Sequence, residues 1–215
     1  MRFLKLSISI ILCALVLNTA NVFAGTGDFY FEDFTADYYL SKDEEGISHL
    51  KVVENLTAVF PDYNQNKGIC RKIPYTNQNK TNVTLSHLTY NDVVLKRNGL
   101  EEPIYSIEKH DDNYEVCTGT EDYVLGKQVY TFEYEFTKVI TDFDEYQELY
   151  WDTNGNGWFQ KFNKVTARVH FADSIKAAFD GGEWCYVGSY GENGSERCTI
   201  SELPDGWQFS CTRLN

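Results

Sequence analysis

Between Phe34 and Phe60 apolar and polar side chains alternate with a period of two, and helical periodicity is nearly absent from the rest of the chain. Phe34, Ala36, Tyr38 and Leu40 form one face, with Thr35, Asp37 and Tyr39 opposite. Lys42-Asp43-Glu44-Glu45-Gly46 has turn chemistry, and Leu50, Val52, Leu56, Ala58 and Phe60 then resume the alternation up to Pro61. The two segments read as a long hairpin. The clearest aromatic face follows later, where Tyr130, Phe132, Tyr134 and Phe136 alternate with Thr131, Glu133 and Glu135.

Further strands are expected at 83–90, at 92–97 with a turn at Asn98-Gly99, and at 104–109, 113–118, 127–136, 147–151, 164–171, 184–190, 196–201 and 206–212. One helix is expected, from Asp173 to Phe179, with Asp173 as N-cap and Gly181-Gly182 past its end. No repeat, linker or low-complexity segment interrupts the pattern. The expectation is all-β: an antiparallel β-sandwich with one short helix, a single domain over residues 25–215.

The first residues have the layout of a secretory signal. Arg2 and Lys5 precede the apolar run Leu6 to Leu17, and Val22-Phe23-Ala24 offers a cleavage site before Gly25. A retained anchor and a lipidated Cys13 are the alternatives. Cys13 follows Leu12 inside the apolar run, which speaks against lipidation. The run is shorter than the roughly 20 apolar residues that a spanning helix needs.

Removing residues 1–24 leaves 17 basic residues against 32 acidic ones, a formal charge of about −15. Such a surface repels phosphate backbones and anionic headgroups, so nucleic acid is not an expected partner. Five cysteines remain: Cys70, Cys117, Cys185, Cys198 and Cys211. In an oxidising compartment disulfides are the default, and no C-x-x-C spacing points to a thiol metal site. Cys185 and Cys198 flank a polar Gly/Asn-rich turn and are the first expected pair, closing a hairpin. Cys70 with Cys117 is the second, leaving Cys211 over.

Several segments in order resemble the N-terminal extracytoplasmic domain of the DUF2207 family, predicted bacterial membrane proteins of unknown function. They are Val52-Val53-Glu54-Asn55-Leu56 running to Phe60-Pro61, Gly68-Ile69-Cys70-Arg71-Lys72-Ile73-Pro74, Gly126 to Phe136, Glu148-Leu149-Tyr150-Trp151 with Asn154-Gly155-Asn156-Gly157-Trp158, and Val165 to Val169. The resemblance covers roughly residues 30 to 210. It implies a cell-envelope location and a larger parent protein whose membrane association lies in segments absent from this sequence. It supplies no catalytic residue to carry over.

Candidate sites each have a plain structural alternative. Asp152, Asn154 and Asn156 match the start of a calcium loop, but position 12 is Asn163 where a bidentate acid belongs, and a Gly/Asn turn between strands explains the same residues. Asp142, Asp144, Glu145, Glu148 and Asp152 could supply two carboxylates for glycoside hydrolysis, or simply a solvated acidic loop. Glu54 interrupts an apolar face and therefore needs a partner or an edge position. Arg71, expected on a neighbouring paired strand, is the choice for a structural ion pair. Trp151, Trp158, Trp184 and Tyr190 could form an aromatic binding surface or fill the core.

The reading reached is a non-catalytic, exported envelope module that binds a protein or glycan, or spaces a membrane protein from its surface. No cofactor is expected. A cell-wall glycoside hydrolase using the 142–152 segment and a calcium-stabilised adhesion domain are the alternatives.

Overall fold

A computed structural model describes residues 27–74, 92–110, 113–155, 158–188 and 194–214. The expected leader, the expected strand at 83–90, Asn156 and Tyr190 lie outside these residues.

The alternating segments form two thirteen-residue strands, β1 (Tyr30–Lys42) and β2 (Ser48–Phe60). Gly46 supplies the positive φ of 80° in their turn, where Asp43 Oδ1 accepts the Ile47 N–H at 2.7 Å. Further along run β3 (Cys70–Pro74), β4 (Val94–Arg97), β5 (Leu100–Glu101), β6 (Ile104–Lys109), β7 (Asn113–Thr118) and β8 (Gly126–Thr137). Asn98 and Gly99 both have positive φ between β4 and β5, as a two-residue hairpin turn requires. β9 (Ile140–Asp142), β10 (Gln147–Leu149), β11 (Phe162–Phe171), the helix α1 (Asp173–Ala178), β12 (Cys198–Leu203) and β13 (Gly206–Leu214) complete the order.

Eight strands make the main sheet, in the order β12-β13-β11-β1-β2-β8-β4-β5. All its pairs are antiparallel except β1 with β11, which run parallel. A three-stranded sheet, β3-β7-β6, lies over one half of one face, and β9 with β10 form a small ribbon. The molecule is all-β, with two unequal layers.

The buried face of the main sheet carries Phe31, Phe34, Ala36, Tyr38 and Leu40 from β1, Leu50, Val52, Leu56 and Ala58 from β2, and Tyr130, Phe132, Tyr134 and Phe136 from β8. The three-stranded sheet contributes Ile73, Tyr114 and Val116 to the same core. The opposite face of the main sheet is polar and laced with cross-strand ion pairs, among them Lys96–Glu133 at 3.0 Å and Arg168–Asp37 at 3.0 Å.

Several expectations differ from the structure. Asp173 is not the N-cap: Ala172 holds that position, because its N–H extends the parallel ladder to the Leu40 carbonyl (3.0 Å) and carries the extended backbone one residue further. No strand forms over 184–188, where the chain leaves the ladder and crosses the sheet face, burying Val187. Cys185 and Cys198 therefore do not close a hairpin. The segment 70–74 is a strand that the alternation alone did not mark, being too short to display a period.

Candidate functional site

The centre of the molecule is an ion pair inside an apolar face. Position 54 on β2 points into the core by the same alternation that buries Val52 and Leu56, so the Glu54 carboxylate is fully buried. Arg71 reaches it from the other layer. Its Nε donates to Glu54 Oε2 at 2.8 Å and its Nη2 to Oε1 at 2.7 Å. Nη2 also donates to the Thr153 carbonyl at 2.9 Å, while Nη1 donates to the carbonyls of Asn154 (2.9 Å) and Lys72. All five N–H groups of the guanidinium are thus used. Tyr134 Oη donates to Glu54 Oε1 at 2.7 Å, and the guanidinium lies 5.4 Å from the Phe34 ring centroid.

Burial by itself would weaken proton binding by Arg71, but the Glu54 charge and its hydrogen bonds raise the net value above that of a free arginine. Glu54 and Arg71 were expected on paired strands. They belong to different sheets: Glu54 has Ala36 and Phe132 as its ladder neighbours, and Arg71 has Val116. A cross-layer pair lets both charges be fully enclosed, which an in-sheet pair near an edge would not.

The 152–155 turn is the third body in this contact. Asp152 Oδ1 accepts the Gly155 N–H at 3.2 Å, and Trp158 Nε1 donates to the Asn154 carbonyl at 2.6 Å. The carbonyl oxygens of Thr153 and Asn154 face the guanidinium of Arg71. Burial raises the Asp152 carboxyl above its ordinary range, while Arg71 and the Gly155 N–H pull it down.

Beyond that turn, the half of the main sheet that β3-β7-β6 leaves uncovered forms the floor of a cavity of about 1580 Å³. Val165, Ala167 and Val169 of β11 and Phe209 and Cys211 of β13 line the floor, Trp151 and Trp158 one wall, and Phe179, Trp184, Cys185 and Tyr186 the other. Among the described residues that line the cavity, Asp43, Glu44, Glu145, Glu148, Asp152, Asp180 and Glu183 are acidic, and Lys42 and Arg197 are basic. Of these two cations, Lys42 donates to Gln147 and Arg197 to the Val187 carbonyl.

The expected aromatic surface divides. Trp151 packs among Tyr38 and Phe136, with ring centroids 6.1 and 5.7 Å away, and Trp158 packs among Phe31 and Phe162 at 5.0 and 5.4 Å. Trp184 is 68% exposed and Tyr186 59%, so these two offer open rings. In the acidic segment, Asp142, Asp144 and Glu145 are exposed and Glu148 is half-buried on the β9–β10 ribbon. The cationic neighbour of Asp152 is Arg71.

Cys70 and Cys117 are joined across directly opposite positions of β3 and β7, and Cys185 is joined to Cys198. Cys211 is a buried thiol. Two histidines are clamped by acids on the polar face: His49 between Glu135 (2.7 Å) and Asp43 (3.2 Å), and His170 between Asp205 (3.0 Å) and Asp37 (3.1 Å). Glu108, His110 and Glu115 hold donor atoms within 4.8 Å of one another at the β6–β7 turn. Sequence spacing could not have revealed the two histidine clamps, because each draws an acid from a strand or turn far away in the chain.

The model of the predicted membrane protein (DUF2207) N-terminal domain matches residues 30–207. No curated protein matches the chain. Among solved structures, native leukotriene A4 hydrolase from Saccharomyces cerevisiae is similar over 87% of this chain and 27% of that one, with 10% identity and a TM-score of 0.46. The M1 zinc metallopeptidase from Deinococcus radiodurans is similar over 86% and 39%, with 10% identity and a TM-score of 0.39. The chain spans well under half the length of these proteins, and likenesses this distant bear on neither activity nor ligand. Among the described residues no helix is long and apolar enough to cross a membrane.

Proposed function

The chain belongs to DUF2207, a family of predicted membrane proteins, whose N-terminal domain it carries, and from that premise we propose that it is a non-catalytic, extracytoplasmic binding module whose cavity receives an apolar, basic segment of a protein partner. One observation carries the reading: a cavity with an apolar and aromatic floor whose lining holds more acids than bases. Apolar floors draw in apolar side chains, and an acidic lining selects cationic neighbours and speeds their approach. The whole chain, at a formal charge of −13, reinforces the same preference.

Export is supported by the leader-like first residues and by the two disulfides, which persist in oxidising compartments. The domain is well suited to hold its binding surface rigid. Arg71 joins the main sheet, the three-stranded sheet and the cavity-side turn through one set of charge-assisted bonds. Preorganisation of this kind reduces the ordering cost of binding.

The test is a binding screen of the purified chain against arrays of peptides and of neutral glycans, followed by Trp184 fluorescence titration. Apolar peptides bearing Lys or Arg should bind, weaken with added salt, and be recovered uncleaved after prolonged incubation. Trp184→Ala should weaken them by about tenfold, the size of a typical aromatic contact at an interface. Retention of glycans in place of peptides, or cleavage of the bound peptide, would overturn the reading.

A further inference from the structure

Three of the cysteines converge on one place. Cys185 and Cys198 are joined, and Cys211 is a buried thiol. In the β12–β13 ladder Cys198 stands directly opposite Cys211, so the two side chains project from the same face of the sheet. All three residues line the cavity. The chain already holds a disulfide between directly opposite residues of an antiparallel pair, Cys70 and Cys117 of β3 and β7. A Cys198–Cys211 bond would repeat that arrangement.

We propose that Cys185, Cys198 and Cys211 form a thiol–disulfide exchange site in which Cys198 changes partners and so frees one wall of the cavity. The Cys211 thiol loses its proton and its sulfur attacks Cys198 Sγ. The Cys198–Cys211 bond forms as the Cys185–Cys198 bond breaks, and the departing Cys185 thiolate takes up a proton. No electrons are gained or lost overall, so no oxidant or reductant is consumed.

The two connectivities differ in what they hold. Cys185 lies in the extended segment that carries Phe179, Trp184 and Tyr186 along the cavity. Its disulfide ties that segment to the first residue of β12. With the bond moved to Cys211, the tie is replaced by one within a ladder that is already paired, and the segment keeps the Arg197–Val187 hydrogen bond of 2.8 Å. Burial raises the Cys211 thiol above its ordinary value, with Arg197 pulling it down, so the attacking thiolate is scarce near neutrality. Exchange is therefore slow at rest and quickens with pH.

The effect on binding rests on the cavity being the binding site; the exchange itself does not. The experiment is non-reducing peptide mapping of the full chain after acid quenching and alkylation. Wild-type protein held at about pH 8.5 should acquire Cys198–Cys211 linked peptides, at a rate rising about tenfold per pH unit below the thiol's own value. Cys211→Ser should retain Cys185–Cys198 alone. Cys185→Ser should close Cys198–Cys211 and be cut several-fold faster within 179–188 under limited proteolysis. The Cys70–Cys117 link serves as the internal control for oxidation. Overturning results are an alkylatable Cys198 and Cys211 in Cys185→Ser protein whose Cys70–Cys117 bond is closed, or a wild-type map that stays unchanged at alkaline pH. None of these readouts needs a ligand, so failure of the peptide screen and failure of the exchange are separate results.

Discussion

Arg71 and Glu54 meet in a two-pronged ion pair at 2.7 and 2.8 Å with no exposure of either side chain, although they lie on strands of different sheets. Enclosing two charges is costly, and the pair repays that cost only with every donor and acceptor satisfied. Here the guanidinium makes five hydrogen bonds, and Tyr134 adds another to the carboxylate.

Breaking the pair from either side should strand a buried charge. Arg71→Met and Glu54→Leu should each cost about 3–5 kcal/mol, and the double variant should cost clearly less than their sum. Arg71→Lys should not rescue, because an ammonium has three donors and no planar fork. Urea titration of the four proteins measures this; strictly additive losses would refute the coupling.

Gly155 should tolerate no side chain. Its φ is +72°, and a Cβ would stand 3.0 Å from Arg71 Nη1 and 3.2 Å from the Lys72 carbonyl. Gly155→Ala should cost at least about 1–2 kcal/mol from the left-handed backbone alone, and more if Arg71 must shift. Gly46→Ala, also at positive φ but with nothing within 4 Å, isolates the backbone share. Equal losses in the two variants would show that Arg71 does not crowd position 155.

Asp152 should oppose stability near neutral pH. Its carboxyl is raised in the folded state by burial, so between its ordinary range and the folded value the folded protein binds more protons, and stability falls as pH rises through that window. Asp152→Asn keeps the oxygen that accepts the Gly155 N–H and should raise the melting temperature at pH 7, with the gain vanishing in acid. Millimolar calcium should leave the wild-type melting curve within a degree or so, because the ligand positions carry one formal charge and position 12 is Asn163 where a bidentate acid belongs. A calcium shift of several degrees that Asp152→Ala abolishes would favour the adhesion reading.

His49 should contribute a slope of the same sign, in a window that begins at higher pH. Donating hydrogen bonds to Glu135 and then Asp43 raises it above its ordinary 6.5, so its contribution is complete below that value and is lost as pH rises through the folded one. His49→Gln should flatten the melting-temperature profile across that range and leave it unchanged above. Both partners are partly exposed, so added salt should shrink the difference. A variant profile parallel to wild type would remove His49 from the account.

Read by itself, the sequence determined which way side chains face. A period of two placed Phe34, Tyr38, Val52 and Tyr134 on buried faces and put Glu54 among them, and a carboxylate there demands a cationic partner. Turn residues such as Asn98-Gly99 marked where strands reverse, because only certain residues accept positive φ. The tertiary structure decided everything that joins one strand to another: that β1 lies parallel to β11, that Arg71 arrives from the second layer, that Cys198 faces Cys211, and that half of the main sheet lines a cavity. Alternation is a local property, set by the pleat of a single strand. Pairing, register and layering depend on contacts between residues far apart in the chain, whose spacing leaves no period to read.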